Sequence, residues 1–335
     1  MNTTVLLAGT EKGIYFVSHD APTVARPANP VALQGIEVDP LVRDARDPMI
    51  LYAAAGKDGL WRSADGGQSW SKIWEQPSDS VLYTITAHSR KAGVIYAGLE
   101  PAALWKSEDG GKSWRELEAL QAVPDKTEWR FFAPRHAHVR ALTIRAGESD
   151  TLYVGIEEGG IYISEDGGRT FHSRNDGLYR DIHQIHTFPG SPSLLFGTTG
   201  DGLYRSEDTG LHWMHVTKGL TRSYTVPLWI APDPPHTMFV GAAKAPPPSW
   251  YRGERGADAK LFRSHDRGLT WEEVTAGWPD PQSGMIYCLV AHPADPTCLF
   301  AGTTDGKVFI SADQGSTWEQ IVEGLPEVYS LLPVE

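Results

Sequence analysis

The 335-residue sequence has two cysteines, Cys288 and Cys298, so disulfides are not what holds it together. Both fall on what read as consecutive strands of one hairpin. With the turn centred between Ala294 and Asp295, Cys288 lies across from about Ala301 rather than Cys298, a register that excludes a bridge. Two reduced thiols suit a reducing compartment, and a cytoplasmic protein is expected. Basic residues are also short, at 30 Lys and Arg against 42 Asp and Glu, for a net charge of −12. That balance argues against nucleic acid and against an anionic membrane as partners, because both are polyanions. Long hydrophobic runs are missing: the N-terminal apolar stretch is only Val5 to Ala8 and has no basic flank, so neither a secretory leader nor a membrane span is expected. There is no Gly-rich phosphate loop, no serine elbow and no cysteine in a nucleophile's setting.

What the sequence has is repetition. The string S-x-D-x-G-x-x-[W/F] occurs six times, at Ser63–Trp70, Ser107–Trp114, Ser164–Phe171, Ser206–Trp213, Ser264–Trp271 and Ser311–Trp318. Before each copy comes an apolar stretch ending in glycine, a short polar loop and a strand that runs into the serine. Counting LLAGTEKGIYFVS at the N-terminus gives seven such units, each with room for four short strands. The expected fold is all-β, a seven-bladed β-propeller of four-stranded antiparallel blades forming a single domain over residues 1–335. No inner strand precedes Thr3, whereas EVYSLLPVE at the C-terminus has no blade of its own. The C-terminal strand is therefore expected to join the N-terminal blade and close the ring, which removes open sheet edges.

Successive motif aspartates are 44, 57, 42, 58 and 47 residues apart, so two intervals carry extra chain. The insertions are centred on Gln121–His138, between the last strand of one blade and the first of the next, and on Lys244–Lys260, between a second and a third strand. Up-and-down topology expects both on the face opposite the motif turns. Loops longer than a connection requires are where function concentrates.

The motif's own chemistry is that of a tight turn. The Asp carboxylate accepts backbone N–H bonds, Ser adds a local bond, Gly tolerates positive φ and the aromatic ring buries itself alongside. Six equivalent aspartates are a poor design for one active site, so a structural role is expected for them.

These six copies resemble the Asp-box, or BNR, repeat of sialidases, xyloglucan-degrading glycoside hydrolases, the sortilin group and photosystem II assembly-factor-type propellers. With seven units in a short chain, the sequence looks most like the last of these, among glycosyl-hydrolase-like BNR proteins. The resemblance implies a sialidase-like propeller fold and carries no catalytic residue with it. The sialidases' Arg-Ile-Pro segment is missing, and the chain is about half the length of the two-propeller xyloglucanases.

Aligning the seven inner strands gives an apolar row (Ile36, Ile85, Leu142, Ile185, Leu228, Leu289, Leu331) and a row of mostly small residues beside it (Gly35, Thr84, Ala141, Gln184, Pro227, Cys288, Ser330). The next row is Gln34, Tyr83, Arg140, His183, Val226, Tyr287 and Tyr329, expected to ring the channel mouth on the inserted face. All but Val226 can hydrogen-bond, which suits a small-molecule, carbohydrate or protein partner there. Trp129, Arg130 and His138 from the first insertion and Trp250 from the second extend the candidate ligand site, although Trp129 and Trp250 equally suit anchoring of their own loops.

No cofactor is called for and no metal site is assigned. The lesser alternative is a divalent metal on His136, His138, His183 or His186, with Asp181 or Glu37 completing it. Glu157 and Glu158 read as a solvated turn, and no carboxylate pair is singled out by spacing for hydrolysis. The favoured function is ligand or partner binding at the channel mouth. The alternative is a carbohydrate-active hydrolase or lyase at the same place.

Overall fold

The apolar stretches that end in glycine fold as the second strand of each blade, with neighbours on both sides and both faces covered. Ile95–Glu100 and Met238–Ala243 are buried at every position. Near-continuous Val, Ile, Leu and aromatic content is what such doubly covered strands require. The computed structural model describes residues 5–18, 29–145, 150–252 and 254–334.

Among these residues the strands form seven antiparallel sheets, six of them built from strands consecutive in sequence, and the fold is a seven-bladed β-propeller. Six sheets have four strands. The first has three, in the order Gly13–Ser18, Val5–Thr10, Val328–Val334, so the C-terminal strand does join the N-terminal blade, with Ala8 opposite Leu331. Beyond Gly13–Ser18 the described part of this blade adds one isolated antiparallel bridge, Ile14 to Ala32, and residues 19–28 lie outside the described residues.

The second blade corrects the inner-strand alignment. Its first strand is Leu41–Arg43, and Gln34, Gly35 and Ile36 lie in the turn-rich segment before it, Gln34 being exposed. Pro40 has no N–H to give a ladder, and the strand begins only after it. The cysteine register is also off by one: Leu289 faces Ala301 and Cys288 faces Gly302, because the ladder shifts between Ala291 and His292, on the turn side of Cys288. Both thiols are free, as expected.

By contact the chain divides into two units. The mid-chain unit (residues 39–199 and 206–214) holds the second, third and fourth blades and the first two strands of the fifth. Its core has one cluster around Tyr52, Leu60, Leu82 and Ile95, and another around Leu104, Leu120, Val139, Ile156 and Tyr162. Leu120 belongs to the first insertion, which begins as two 3-10 turns, Glu118–Ala122 and Pro124–Glu128. With Leu120 fully buried and Val123 and Ala137 nearly so, the insertion is fastened at both ends. The terminal unit (residues 1–38, 200–205 and 215–335) packs Phe239, Leu261, Trp278, Phe309 and Trp318 in one cluster and Leu6, Ala8, Phe300, Val322 and Val328 in another. Each large apolar side chain fully removed from water contributes about 1.5–3 kcal/mol.

The six motif turns share one hydrogen-bonded ring. Ser63 Oγ donates to Asp65 Oδ1 at 2.7 Å and accepts from the Gly67 amide at 2.8 Å, while Asp65 Oδ1 accepts from the Ser69 amide at 2.9 Å. The same three bonds recur at Asp109, Asp166, Asp208, Asp266 and Asp313. Bonds from the residue four positions on hold the Asp65, Asp109 and Asp208 carboxyls at about 2. These aspartates are engaged in folding the turn.

Candidate ligand-binding site

The row of candidate residues owes its position to a repeated irregularity. In the third blade Leu82 pairs with Leu99 and Thr84 with Gly98, so Tyr83 is the extra residue of a β-bulge. Arg140 is skipped in the same way between Val139 and Ala141, and His183 between Ile182 and Gln184. In the terminal unit Tyr287 and Tyr329 are skipped likewise, and Val226 lies in a register shift between Thr225 and Leu228. A bulge leaves one residue out of the ladder and re-aims its side chain. Glycines beside these bulges permit close approach: a Cβ on Gly98 would stand 2.6 Å from Val139 Cγ1, and one on Gly155 2.7 Å from Ile182 Cγ2.

In the mid-chain unit Tyr83, Arg140 and His183 meet two buried carboxylates. Glu100 and Glu157 occupy equivalent places, two residues past the strand glycine, each the last residue of its strand (Ile95–Glu100 and Thr151–Glu157). Glu157 is 7% exposed, so it is buried at a strand end and is not the solvated turn residue the sequence suggests. Cross-strand pairing sets His138 opposite it.

His138 Nε2 lies 2.8 Å from Glu157 Oε2, and Arg140 Nη1 donates to the same oxygen at 2.6 Å. Burial would raise the Glu157 carboxyl, but the Arg140 charge and then the His138 hydrogen bond outweigh it and hold the group well below the usual carboxylate range. The neighbouring Glu158 is pushed up, first by burial and then by the charges of Asp181 and Glu157.

Glu100 is committed from another direction. Arg135 reaches its Oε2 through Nε at 3.3 Å and Nη2 at 3.2 Å, and the His136 amide donates to Oε1 at 3.0 Å. Arg135 Nη2 also donates to the Tyr83 hydroxyl at 2.5 Å. The guanidinium lies 4.8 Å from the Phe131 ring centre, and the Tyr83 and His138 rings are 3.7 Å apart. His138 thus has Glu157 on Nε2 and the His136 carbonyl 3.1 Å from Nδ1, with Glu100 at 3.7 Å on that side. Arg135 organises this face, yet only its place in the insertion marked it out in the sequence.

Other candidates are placed as follows. Trp129 is pinned: its Nε1 donates to the Tyr162 hydroxyl at 2.7 Å, which fits loop anchoring. Arg130 is exposed, and its amide donates to the Glu158 carbonyl at 3.1 Å. Phe132 is 80% exposed. In the terminal unit Trp250 is 7% exposed and donates to the Ala245 carbonyl at 2.7 Å, so its indole is part of the core. Tyr287 and Tyr329 pair at 5.2 Å, and Glu327 Oε2 accepts from the Tyr251 hydroxyl at 3.0 Å and the Tyr329 hydroxyl at 3.3 Å. Burial raises the Glu327 carboxyl, as it does the Tyr329 hydroxyl.

Of the histidines offered for a metal, His186 Nε2 instead lies 3.0 Å from Gln184 Oε1, and His138 is taken up between carboxylates. His183 Nε2 stands 3.5 Å from Asp181 Oδ1.

Strand Lys260–Ser264 and the SHDRGLTW turn that follows it show most plainly what kind of repeat this is. Residues 261–274 match the BNR-Asp box repeat. A xyloglucanase of Paenibacillus sp. is 26% identical over 252 residues, covering 70% of this chain and 20% of that protein. Among solved structures, an ancestral GH74 enzyme superposes with a TM-score of 0.68 at 15% identity, over 90% of this chain and 40% of that one. YCF48 bound to D1 peptide superposes with a TM-score of 0.59 at 15% identity, over 85% of this chain and 81% of that one. At such identity the structural likenesses concern the fold. The chain spans well under half the length of the xyloglucanase and of the ancestral GH74 enzyme.

Proposed function

We propose that this propeller binds a polar ligand, a carbohydrate or a peptide, on the mid-chain face carrying Tyr83, Arg130, Phe132, Arg135 and Arg140. The observation that carries the reading is the commitment of both buried carboxylates: Glu100 is held by Arg135 and the His136 amide, and Glu157 by Arg140 and His138. A glycosidase needs one carboxyl ready to donate a proton and a second aligned across the scissile bond. Groups tied into such bridges serve instead to stiffen a surface, and the exposed Arg130 and Phe132 offer that surface an ion-pairing group and a stacking group.

The second reading, a carbohydrate-active hydrolase, is favoured by the likeness to a xyloglucanase. Calorimetric titration with xyloglucan oligosaccharides, uronic acids and peptides ending in a free carboxylate separates the two. Binding without release of reducing sugar, weakened at least tenfold (about 1.4 kcal/mol) in Phe132→Ala and Arg130→Ala, supports the binding reading. Turnover of an oligosaccharide supports the hydrolase. Binding that both variants leave intact removes this face from consideration.

A further inference from the structure

We propose that Glu157, Asp181 and His183 form a divalent-cation site, suited to zinc or manganese. Each offers one donor atom, and the three donors lie within 4.8 Å of one another. Among the described residues this is the one group of three or more His, Cys, Asp or Glu side chains so arranged. Three separate features bring them together: Glu157 ends strand Thr151–Glu157, His183 is the bulge residue of strand Ile182–Phe188, and Asp181 immediately precedes that strand.

The spacing suits a small cation. Donors about 2.1 Å from a tetrahedral ion are about 3.4 Å apart. His183 Nε2 and Asp181 Oδ1 already stand at 3.5 Å, and the Glu157 donor lies within 4.8 Å of both, so small shifts of these side chains bring the three to the distance a bound ion sets. One imidazole and two carboxylates form a nitrogen and oxygen donor set, which selects zinc or manganese over the soft ions that thiolates take. Two carboxylates held this close repel each other, and a divalent ion between them relieves the repulsion.

The surroundings have the form of an outer shell. His138 and Arg140 both engage Glu157 Oε2, at 2.8 and 2.6 Å, and fix how that carboxylate is presented. Carboxylate ligands are characteristically oriented by such partners. The proposal does not depend on the ligand-binding reading, since the cation site can exist whether or not a carbohydrate or peptide docks nearby.

The test uses the whole chain, stripped with a chelator and dialysed separately against zinc(II) and manganese(II), with bound metal measured by emission spectrometry. One ion per chain in the wild type is expected. Asp181→Asn and His183→Gln should each weaken it by about 10–100-fold, and Glu128→Gln, on the exposed Arg180 pair, should not. Cobalt(II) supplies a second readout: its visible absorption should change in Asp181→Asn, a near-isosteric substitution, even if His183→Gln does not fold. No stoichiometric metal in the wild type overturns the proposal, as does metal that Asp181→Asn binds with unchanged affinity and spectrum. Ligand titration of the stripped wild type keeps this result separate from the fate of the binding reading.

Discussion

Glu157→Leu removes the carboxylate shared by His138 and Arg140 while keeping an apolar side chain of similar size at a strand end. The partners stay where the fold puts them: the His138 side chain is 0% exposed and that of Arg140 15%. Breaking a buried pair by deleting one member costs about 3–5 kcal/mol, because the other charge is left uncompensated in a medium that solvates it poorly. The net worth of the pair is smaller, since ordering and desolvating both groups already offsets much of their attraction. Arg140→Met alone is therefore also destabilising, but Glu157→Leu with Arg140→Met should cost less than the sum of the two, with a coupling of about 1.5 kcal/mol or more. Urea unfolding followed by tryptophan fluorescence measures all four proteins. Strict additivity, or a Glu157→Leu cost below about 1 kcal/mol, would show that the bridge is not the buried, coupled unit described here.

Other consequences are as direct. Trp318, 4% exposed and edge-on to Trp278 at 5.5 Å, should cost about 3–5 kcal/mol on replacement by alanine, read by the same unfolding assay. Gly277 has φ +75°, and a Cβ there would lie 1.7 Å from the Trp318 carbonyl oxygen, so Gly277→Ala should lower stability by more than about 1 kcal/mol even though no side chain is removed. The Asp65, Asp109 and Asp208 carboxyls sit at about 2, below their unfolded value, so they stabilise the fold above about pH 4 and lose that contribution as pH falls toward 2. Carboxyl carbon shifts in an NMR titration should place them there, and ordinary titration near 4 would contradict the shared hydrogen-bonded ring. Burial, with Asp295 nearby, raises the Cys298 thiol to about 11, so alkylation by iodoacetamide at pH 8 should be slow until the chain unfolds.

The blade count, the closure by Val328–Val334 and the turn role of the motif aspartates were all legible in the chain. Each rests on local rules: a repeated turn chemistry, alternating strands and an unpaired strand left over at one end. The row Tyr83, Arg140, His183, Tyr287 and Tyr329 was legible as equivalent positions, but not as bulges. A bulge is a property of two paired strands, and neither strand alone records it. Gln34 is outside the row for the opposite reason: the second blade starts its ladder only at Leu41, so the residues that correspond by spacing lie in a turn.

Glu100 and Glu157 mark the boundary between the two kinds of information. In IYAGLE and LYVGIE they hold the same place after the strand glycine, which was open to any reader of the sequence. Whether a glutamate there is solvated or buried depends on what arrives from elsewhere in the chain: Arg135 and the His136 amide from the insertion for one, Arg140 and His138 from the neighbouring strand for the other. The sequence by itself determined the repeat, and with it the architecture, because each blade is specified by its own turns and strand pattern. Only the tertiary structure decided which charges lose their water and meet, because burial and pairing are properties of distant segments brought together.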